Sequence, residues 1–545
     1  MDNQRVLLYA ALGFILLILW QNWQIQSNPQ LAVQATQSDA VNPAAADVAA
    51  GAPAASVPGT PQAPGTAIQP AGQKIRVETD LLVAEIDTRG GTLTHVALKD
   101  YPVAVDKPDE PFVLMSDEPA KFFVAQSGLQ SAGGNAPTHQ AMFQAEADNY
   151  VMADGQNELR IPLTWQGEDG ISVTKTLVFK RDSYEVQVEQ ALQNGSGEPV
   201  VVNQYRQLQR KEVTDDEKQS FIYTFIGGVV STADEPYTKV DFGDFEESDL
   251  NQTVTGGWVA MMQHYFVGAV IPQEDQANTF YTKALSFPKR YIIGMYSDSR
   301  TVNAGDATEF VSEFYVGPKD QERLEAAAHN LKLTVDFGWL TVLANPIFWL
   351  LKKIHSFVGN WGWSIILLTM LIKGMFYKLS EASYKSMARM RKLQPKMQAL
   401  KEKYGDDRQK IGEATMKLYK EEKVNPLGGC LPMLVQIPVF IALYWVLLES
   451  VELRQAPWIL WIKDMSIRDP YFILPVIMGI TMFTQQKLNP APIDPIQQKM
   501  FTFLPVVFTV FFAFFPAGLV LYWVVNNSLS ILQQWYITRH VIGTD

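Results

Sequence analysis

Cysteine is almost missing from this chain. Cys430 is the single one among 545 residues, so no intrachain disulfide can form. The six histidines (His95, His139, His264, His329, His355 and His540) are scattered without metal-ligand spacing, so neither a metal nor another cofactor is expected. No G-x-x-x-x-G-K-[ST] phosphate loop occurs, which argues against work driven by the chain's own nucleotide hydrolysis. With a net charge of −12 the chain has no overall basic character, and direct nucleic-acid recognition is not expected. Residues 24–73 lack aromatics altogether and carry only Asp39 and Asp47 as charges. Rich in Ala, Pro, Gln, Gly and Thr, they cannot bury a core and read as a disordered tether.

What is present is unevenly distributed, and a mean hydropathy near zero conceals it. Six apolar stretches approach the ~17 to 25 residues that a membrane helix needs: Val6 to Trp23, Phe357 to Tyr377, Leu427 to Leu448, Tyr471 to Gln486, Met500 to Phe515 and Gly518 to Trp535. The last two are separated only by Pro516 and Ala517, which predicts a tight helical hairpin. The first is followed by Trp20-Gln-Asn-Trp23 and not by a small-residue cleavage site, so residues 1–23 read as an uncleaved anchor.

From Lys74 to about Val335 the pattern changes to alternation, as in Lys74-Ile-Arg-Val-Glu-Thr79, Ile171 to Phe179 and Tyr184 to Glu189, with turns at Arg89-Gly-Gly91 and Asn194-Gly-Ser-Gly197. This predicts a large antiparallel β-sandwich over 74–335, closing with a helix near Asp320 to Leu333. Residues 336–356, interrupted by Pro346 and ending in charge, read as a helix lying along the outer interface, with a seventh span as the alternative. Residues 357–545 then hold five spans, near 357–378, 427–448, 471–486, 500–515 and 518–535.

Charge gives the orientation. Residues 74–334 carry 22 Lys and Arg against 40 Asp and Glu, whereas the loop 379–424 carries 12 against 7. Short cytoplasmic loops are enriched in Lys and Arg, so the loop belongs inside, the acidic domain outside and both termini inside. Within the loop, Met387, Met390, Leu393, Met397, Leu400 and Tyr404 recur every three or four residues. A turn at Gly405-Asp-Asp407 precedes a second run, Ile411, Thr415, Leu418 and Tyr419, giving a helical hairpin. Its apolar stripe either packs on itself or, through Met387, Met390, Met397 and Tyr404, meets clients and partners transiently.

One charge interrupts the spans. Lys373 lies in Trp363 to Tyr377, where a cation costs about 2.5 to 3.5 kcal/mol unless it faces protein or water. Thr369, Lys373 and Tyr377 are spaced i, i+4, i+8, which on one helix makes a polar stripe. Gln436, Thr481, Gln485, Tyr522, Asn526 and Asn527 add polar groups to other spans. Either a shared groove satisfies these groups, or Lys373 snorkels to the inner surface while Gln436 and Asn526 make ordinary interhelical hydrogen bonds.

Several longer motifs now count together: Asn425-Pro-Leu-Gly-Gly-Cys430, Gln436-Ile-Pro438, Val451-Glu-Leu-Arg-Gln-Ala-Pro457, Phe515-Pro-Ala-Gly-Leu-Val-Leu-Tyr522 and His355-Ser-Phe-Val-Gly-Asn-Trp-Gly362. They resemble the YidC/Oxa/Alb membrane insertases, in the Gram-negative YidC form, over essentially the whole chain. The resemblance implies a polytopic α-helical membrane protein of six transmembrane helices, in the bacterial inner membrane. Its five-helix insertase core has a hydrophilic groove open to cytosol and lipid, and its periplasmic antiparallel β-supersandwich is similar to sugar mutarotases. Lys373 stands at the family's groove arginine, Thr369 at a groove threonine, Tyr522 at a client-contacting aromatic, and Trp523 where tyrosine is frequent. Nascent membrane proteins, membrane lipids, the Sec translocon and translating ribosomes are the implied partners. The few residues after Arg539 offer no long basic tail for ribosome binding. Two rivals remain at this point: a secondary transporter with an intramembrane cation, for which the spans show no internal repeat, and an anchored periplasmic sugar-binding or sugar-processing protein, which needs a clustered acid–base pair.

Overall fold

The computed structural model of the protein describes residues 72–131, 133–212, 224–405, 407–422, 424, 431–489 and 495–541. The expected anchor, nearly all of the tether and the motif Asn425 to Cys430 lie outside the described residues.

Alternating residues build two facing sheets of eleven and nine strands. Strand Glu185–Asn194 shows the logic: Val186, Val188, Gln190 and Leu192 are buried while their neighbours are more open. It pairs antiparallel with Ile171–Lys180 on one side and Ala307–Pro318 on the other, aligning Phe179, Val186 and Phe314 across the inner face. Such cross-strand apolar groups are the unit of sheet stabilisation. One pair, Lys74–Glu78 with Asn149–Val151, is parallel. The turn after strand Leu82–Asp87 uses Gly90 and Gly91 at φ +73° and +56°, and a Cβ on Gly90 would lie 2.2 Å from the His139 carbonyl oxygen. Only glycine fits there.

The helix expected over Asp320 to Leu333 is shorter and broken. Asp320 caps Gln321–Ala327 by accepting from the Glu322 and Arg323 amides, and left-handed Asn330 then leads into a separate 3-10 turn, Leu331–Thr334. Left-handed backbone cannot continue a helix, so periodicity alone overran the end.

The sandwich sits on the helical region through the segment after helix Leu431–Glu449. Lys319 and Glu449 form a buried ion pair at 3.1 Å, with side chains 0% and 4% exposed. Arg454 and Gln455 both donate to the Pro102 carbonyl at 2.7 Å. His264 Nε2 donates to the Leu448 carbonyl at 3.0 Å, which requires a proton on that nitrogen. Burial, and then the Lys319 ammonium, push the His264 pKa down to about 3. An unfolded histidine titrates near 6.5, so the folded protein binds fewer protons between these values. The stabilising contribution is complete above pH ~6.5 and is lost as pH falls towards 3. Melting of the detergent-solubilised protein should therefore weaken over this window, and His264→Gln, which keeps an N–H donor, should flatten the slope; an unchanged slope would remove His264 as its source.

The helical region contains Thr341–Val358, Trp361–Met375, Tyr377–Tyr404, Arg408–Glu421, Leu431–Glu449, Ile473–Leu488, Pro495–Phe512 and Ala517–Tyr536. The motif around residue 360 explains itself. Gly359 ends the first of these at φ +68°, Asn360 caps the next by accepting from the Trp363 amide, and His355 stacks on Trp361 at 3.9 Å. A Cβ on Gly362 would meet the Trp458 ring at 2.1 Å. Helix Thr341–Val358 buries Ala344, Phe348 and Leu351 and leaves Val342, Trp349 and Phe357 exposed, so it is two-faced.

Two features of the helices bear on the expected spans. Among the described residues no single helix is long and apolar enough to cross a membrane; one bent pair, Trp361–Met375 with Tyr377–Tyr404, passes together at an angle of 67°. The last two helices are joined by a tight turn but do not form a packed hairpin. Both pack chiefly on Ile473–Leu488. The cause lies at the start of Ala517–Tyr536, where the Ala517 amide donates to the Ile467 carbonyl at 2.7 Å and the Gly518 amide to the Met465 carbonyl at 3.0 Å. Free helix-start amides take whatever acceptor is near, and here a preceding loop supplies it.

Candidate functional site

Lys373 joins two helices of the helical region through a polar contact. Trp361–Met375 presents Ser364, Ile365, Leu368, Thr369, Ile372 and Lys373 on its buried side, an i, i+3/i+4 pattern that turns one face inward. Thr369 is 1% exposed and its hydroxyl donates to the Ile365 carbonyl at 2.6 Å, one turn back. Lys373 is 4% exposed, and its Nζ donates to Ser530 Oγ at 2.7 Å. No carboxylate among the described residues pairs with it. Ser530 in turn donates to the Asn526 carbonyl at 2.7 Å and is the hydrogen-bond partner of the Tyr384 hydroxyl.

Tyr377 does not extend the stripe. The helix ends at Met375 and the chain turns by 67° before Tyr377 opens the next helix, leaving that side chain only partly buried. The i+8 argument assumed one continuous helix; Gly374, a weak helix former, stands just before the break. Beyond the bend, Ser380 and Ser383 are buried beside Tyr384 in sequence, continuing the polar lining on a different axis.

On Ala517–Tyr536, Tyr522, Asn526 and Ser530 recur every four residues and share a face. Tyr522 is buried and stacks on Phe440 at 5.8 Å, and Trp523 meets Phe440 edge-on at 4.8 Å and Phe512 at 5.5 Å. The Trp523 indole N–H is buried without a partner. Gln436 lies one turn before Phe440 and is partly exposed. Of the two asparagines it is Asn527 that is buried, donating to Thr481 Oγ1 at 3.4 Å, while Asn526 is half-buried and contributes its carbonyl. Ser530 escaped the sequence reading, although its four-residue spacing from Asn526 was a usable signal.

The hairpin helices pack on each other through Leu393, Met397, Tyr419 and Val424, with Met390 and Leu418 at the edge. Met397 is buried there and accepts the Tyr419 hydroxyl at 3.6 Å, so its thioether belongs to the hairpin's own core. Met387 and Tyr404 are half-buried, and Arg389, Arg391, Lys392 and Lys396 are exposed. A cavity of about 750 Å³ lies elsewhere, lined by Tyr237, Lys239, Asp336 and Phe337 among others, and shares no residue with the cluster around Lys373. In the sandwich, His139 is bound to the Tyr205 hydroxyl at 2.6 Å and His264 to a backbone carbonyl, which accounts for both structurally.

Comparison with known proteins places this geometry in a family. The model described as the YidC periplasmic domain matches residues 74–350, and that described as the 60Kd inner membrane protein matches 353–544. The membrane protein insertase YidC of Thioalkalivibrio sulfidiphilus is 53% identical over 99% of both chains, and that of Methylococcus capsulatus 51% identical over 99% of both. Among solved structures, an active YidC insertase crystal structure aligns with a TM-score of 0.37 at 18% identity, covering 86% of this chain and 93% of the other. A galactose mutarotase related enzyme from Lactobacillus acidophilus aligns at 0.30 and 10%, covering 45% and 97%. Neither structural likeness is close enough to bear on function, but the full-length sequence relationships are decisive: the chain belongs to the YidC family of membrane protein insertases, inner-membrane proteins with a periplasmic β-sandwich domain and a helical C-terminal region.

Proposed function

We propose that this insertase passes the polar tail of a client along the seam of Thr369, Lys373, Gln436, Tyr522, Trp523 and Asn526, while the client's apolar segment stays against lipid. The observation that carries the reading is the state of Lys373, a buried cation held by one neutral hydroxyl. Lysines are seldom fully buried unless paired, and one whose only partner is a neutral hydroxyl attracts an approaching anion. Acidic residues of the client tail supply that anion transiently. Because Thr369 and Lys373 are closed off at rest, the client enters by parting the seam between Trp361–Met375 and Ala517–Tyr536. Release follows from the client's own apolar partitioning, about 0.8 kcal/mol per buried CH₂.

The same reading has six spans, both termini and the basic hairpin 379–424 in the cytoplasm, and helix Thr341–Val358 lying along the periplasmic interface with Val342, Trp349 and Phe357 towards lipid. Translating ribosomes and the Sec translocon are its partners, the first through the exposed cations of the hairpin. Photo-crosslinkers at Thr369 and Tyr522 test the route. Both should capture a stalled single-span client, whereas a crosslinker at exposed Phe287 of the sandwich should not; capture at Phe287 alone would rule out a path through the seam.

A further inference from the structure

Ser530 stands where three separate elements meet. A serine hydroxyl has one proton and two lone pairs. Its proton goes to the Asn526 carbonyl, one turn back on its own helix, at 2.7 Å. A lone pair of the same oxygen accepts from Lys373 Nζ of helix Trp361–Met375 at 2.7 Å, and the Tyr384 hydroxyl on Tyr377–Tyr404 interacts with the same serine. Ser530 is almost fully buried, at 3% exposure. It ties the helix before the bend, the hairpin arm after it and the last helix to a single atom. An ammonium in a dry seam is costly unless an acceptor faces it, and Ser530 is the only side-chain acceptor the described residues provide.

We propose that Ser530 is a positioning residue for insertion: it holds the Lys373 ammonium at the junction of the three helices, aimed into the seam, until a client carboxylate replaces it. This rests on the charge role of Lys373 argued above. The exchange is favourable because a hydroxyl is the weaker partner: its bond to the ammonium involves one charge, whereas a carboxylate adds the attraction of a second, opposite charge. A carboxylate of the protein's own at this position would hold the lysine too tightly to yield it.

The test measures insertion in cells depleted of the native protein, using two matched single-span clients, one with an acidic tail and one with a neutral tail. Ser530→Ala should slow the acidic-tail client about tenfold, the size expected for one hydrogen bond to a charged group, and leave the neutral-tail client within about twofold. Ser530→Thr, which restores the hydroxyl, should recover the acidic-tail rate. Equal slowing of both clients without rescue by threonine would show a packing role only, and no slowing of either would overturn the assignment outright. Should the alanine protein fail to accumulate, Ser530→Cys, similar in size with a weak acceptor, takes its place with the same expected split. Lys373→Ala runs alongside. If it leaves the acidic-tail client untouched, the charge role falls and the positioning role with it; if it slows that client while Ser530→Ala does not, only the positioning role falls.

Discussion

Lys373→Ala slows insertion of a client with an acidic tail by about tenfold or more, Lys373→Glu slows it further, and Lys373→Arg stays within about threefold. The estimate follows from losing one charge-assisted hydrogen bond, roughly 1.5 to 3 kcal/mol, at a tenfold change per 1.4 kcal/mol. Glutamate adds like-charge repulsion with the tail. Arginine keeps the charge, and because the resting partner is a single hydroxyl and not a carboxylate, nothing here uses the two-pronged fork that distinguishes it from lysine. A membrane potential adds about 2.3 kcal/mol per charge per 100 mV in favour of moving an acidic tail outward, so dissipating it should slow acidic-tail clients in wild type and variant alike. Pulse-labelled insertion in depleted cells reads all four rates. Wild-type rates for both Ala and Glu would sink the charge role.

The second large effect concerns how the sandwich is held. Lys319→Met leaves the Glu449 carboxylate buried without its partner, and such half-pairs cost about 3 to 5 kcal/mol. We expect a marked loss of thermal stability and faster proteolytic release of the sandwich from the helical region. Replacing both residues, Lys319→Met with Glu449→Leu, should recover most of the loss, since a buried pair exchanged for apolar side chains is often neutral. His264 and Arg454 still bridge the junction in every variant, so the contrast between single and double replacement isolates the pair. If the double variant is as unstable as the single one, the ion pair holds the junction in a way that apolar packing cannot replace.

Both effects turn on contacts that local patterns do not encode. Alternation located strands such as Ile171–Lys180 because burial on one face forces a period of two. Apolar runs located the helices Ile473–Leu488 and Ala517–Tyr536, and the three-to-four repeat of Met390, Leu393 and Met397 located the hairpin seam. Lys373 stood out because its cost is local. Its partner did not: Ser530 is 157 residues away, and Lys319 and Glu449 are 130 apart, so tertiary structure alone brings them together. The bend after Met375 was hidden for a different reason. Apolar periodicity reports which residues are buried, and burial continues through the turn as Ile372, Lys373, Ser380 and Ser383; a change of axis leaves no mark on it.

Helix Trp361–Met375, which carries Lys373, has fifteen residues and is therefore about 22 Å long. The hydrocarbon of an ordinary bilayer is about 30 Å thick. On the six-span reading proposed above, lipid beside this helix would face a deficit of several ångströms and answer it by compressing its acyl chains, at a fraction of a kcal/mol per ångström. The bilayer beside the seam would then be dimpled, and elastic energy stored in that dimple would recoil when a client of full length settled next to it. Membranes built from longer acyl chains would store more, and lipid thickness itself would then be a control on how readily this protein takes up its next client.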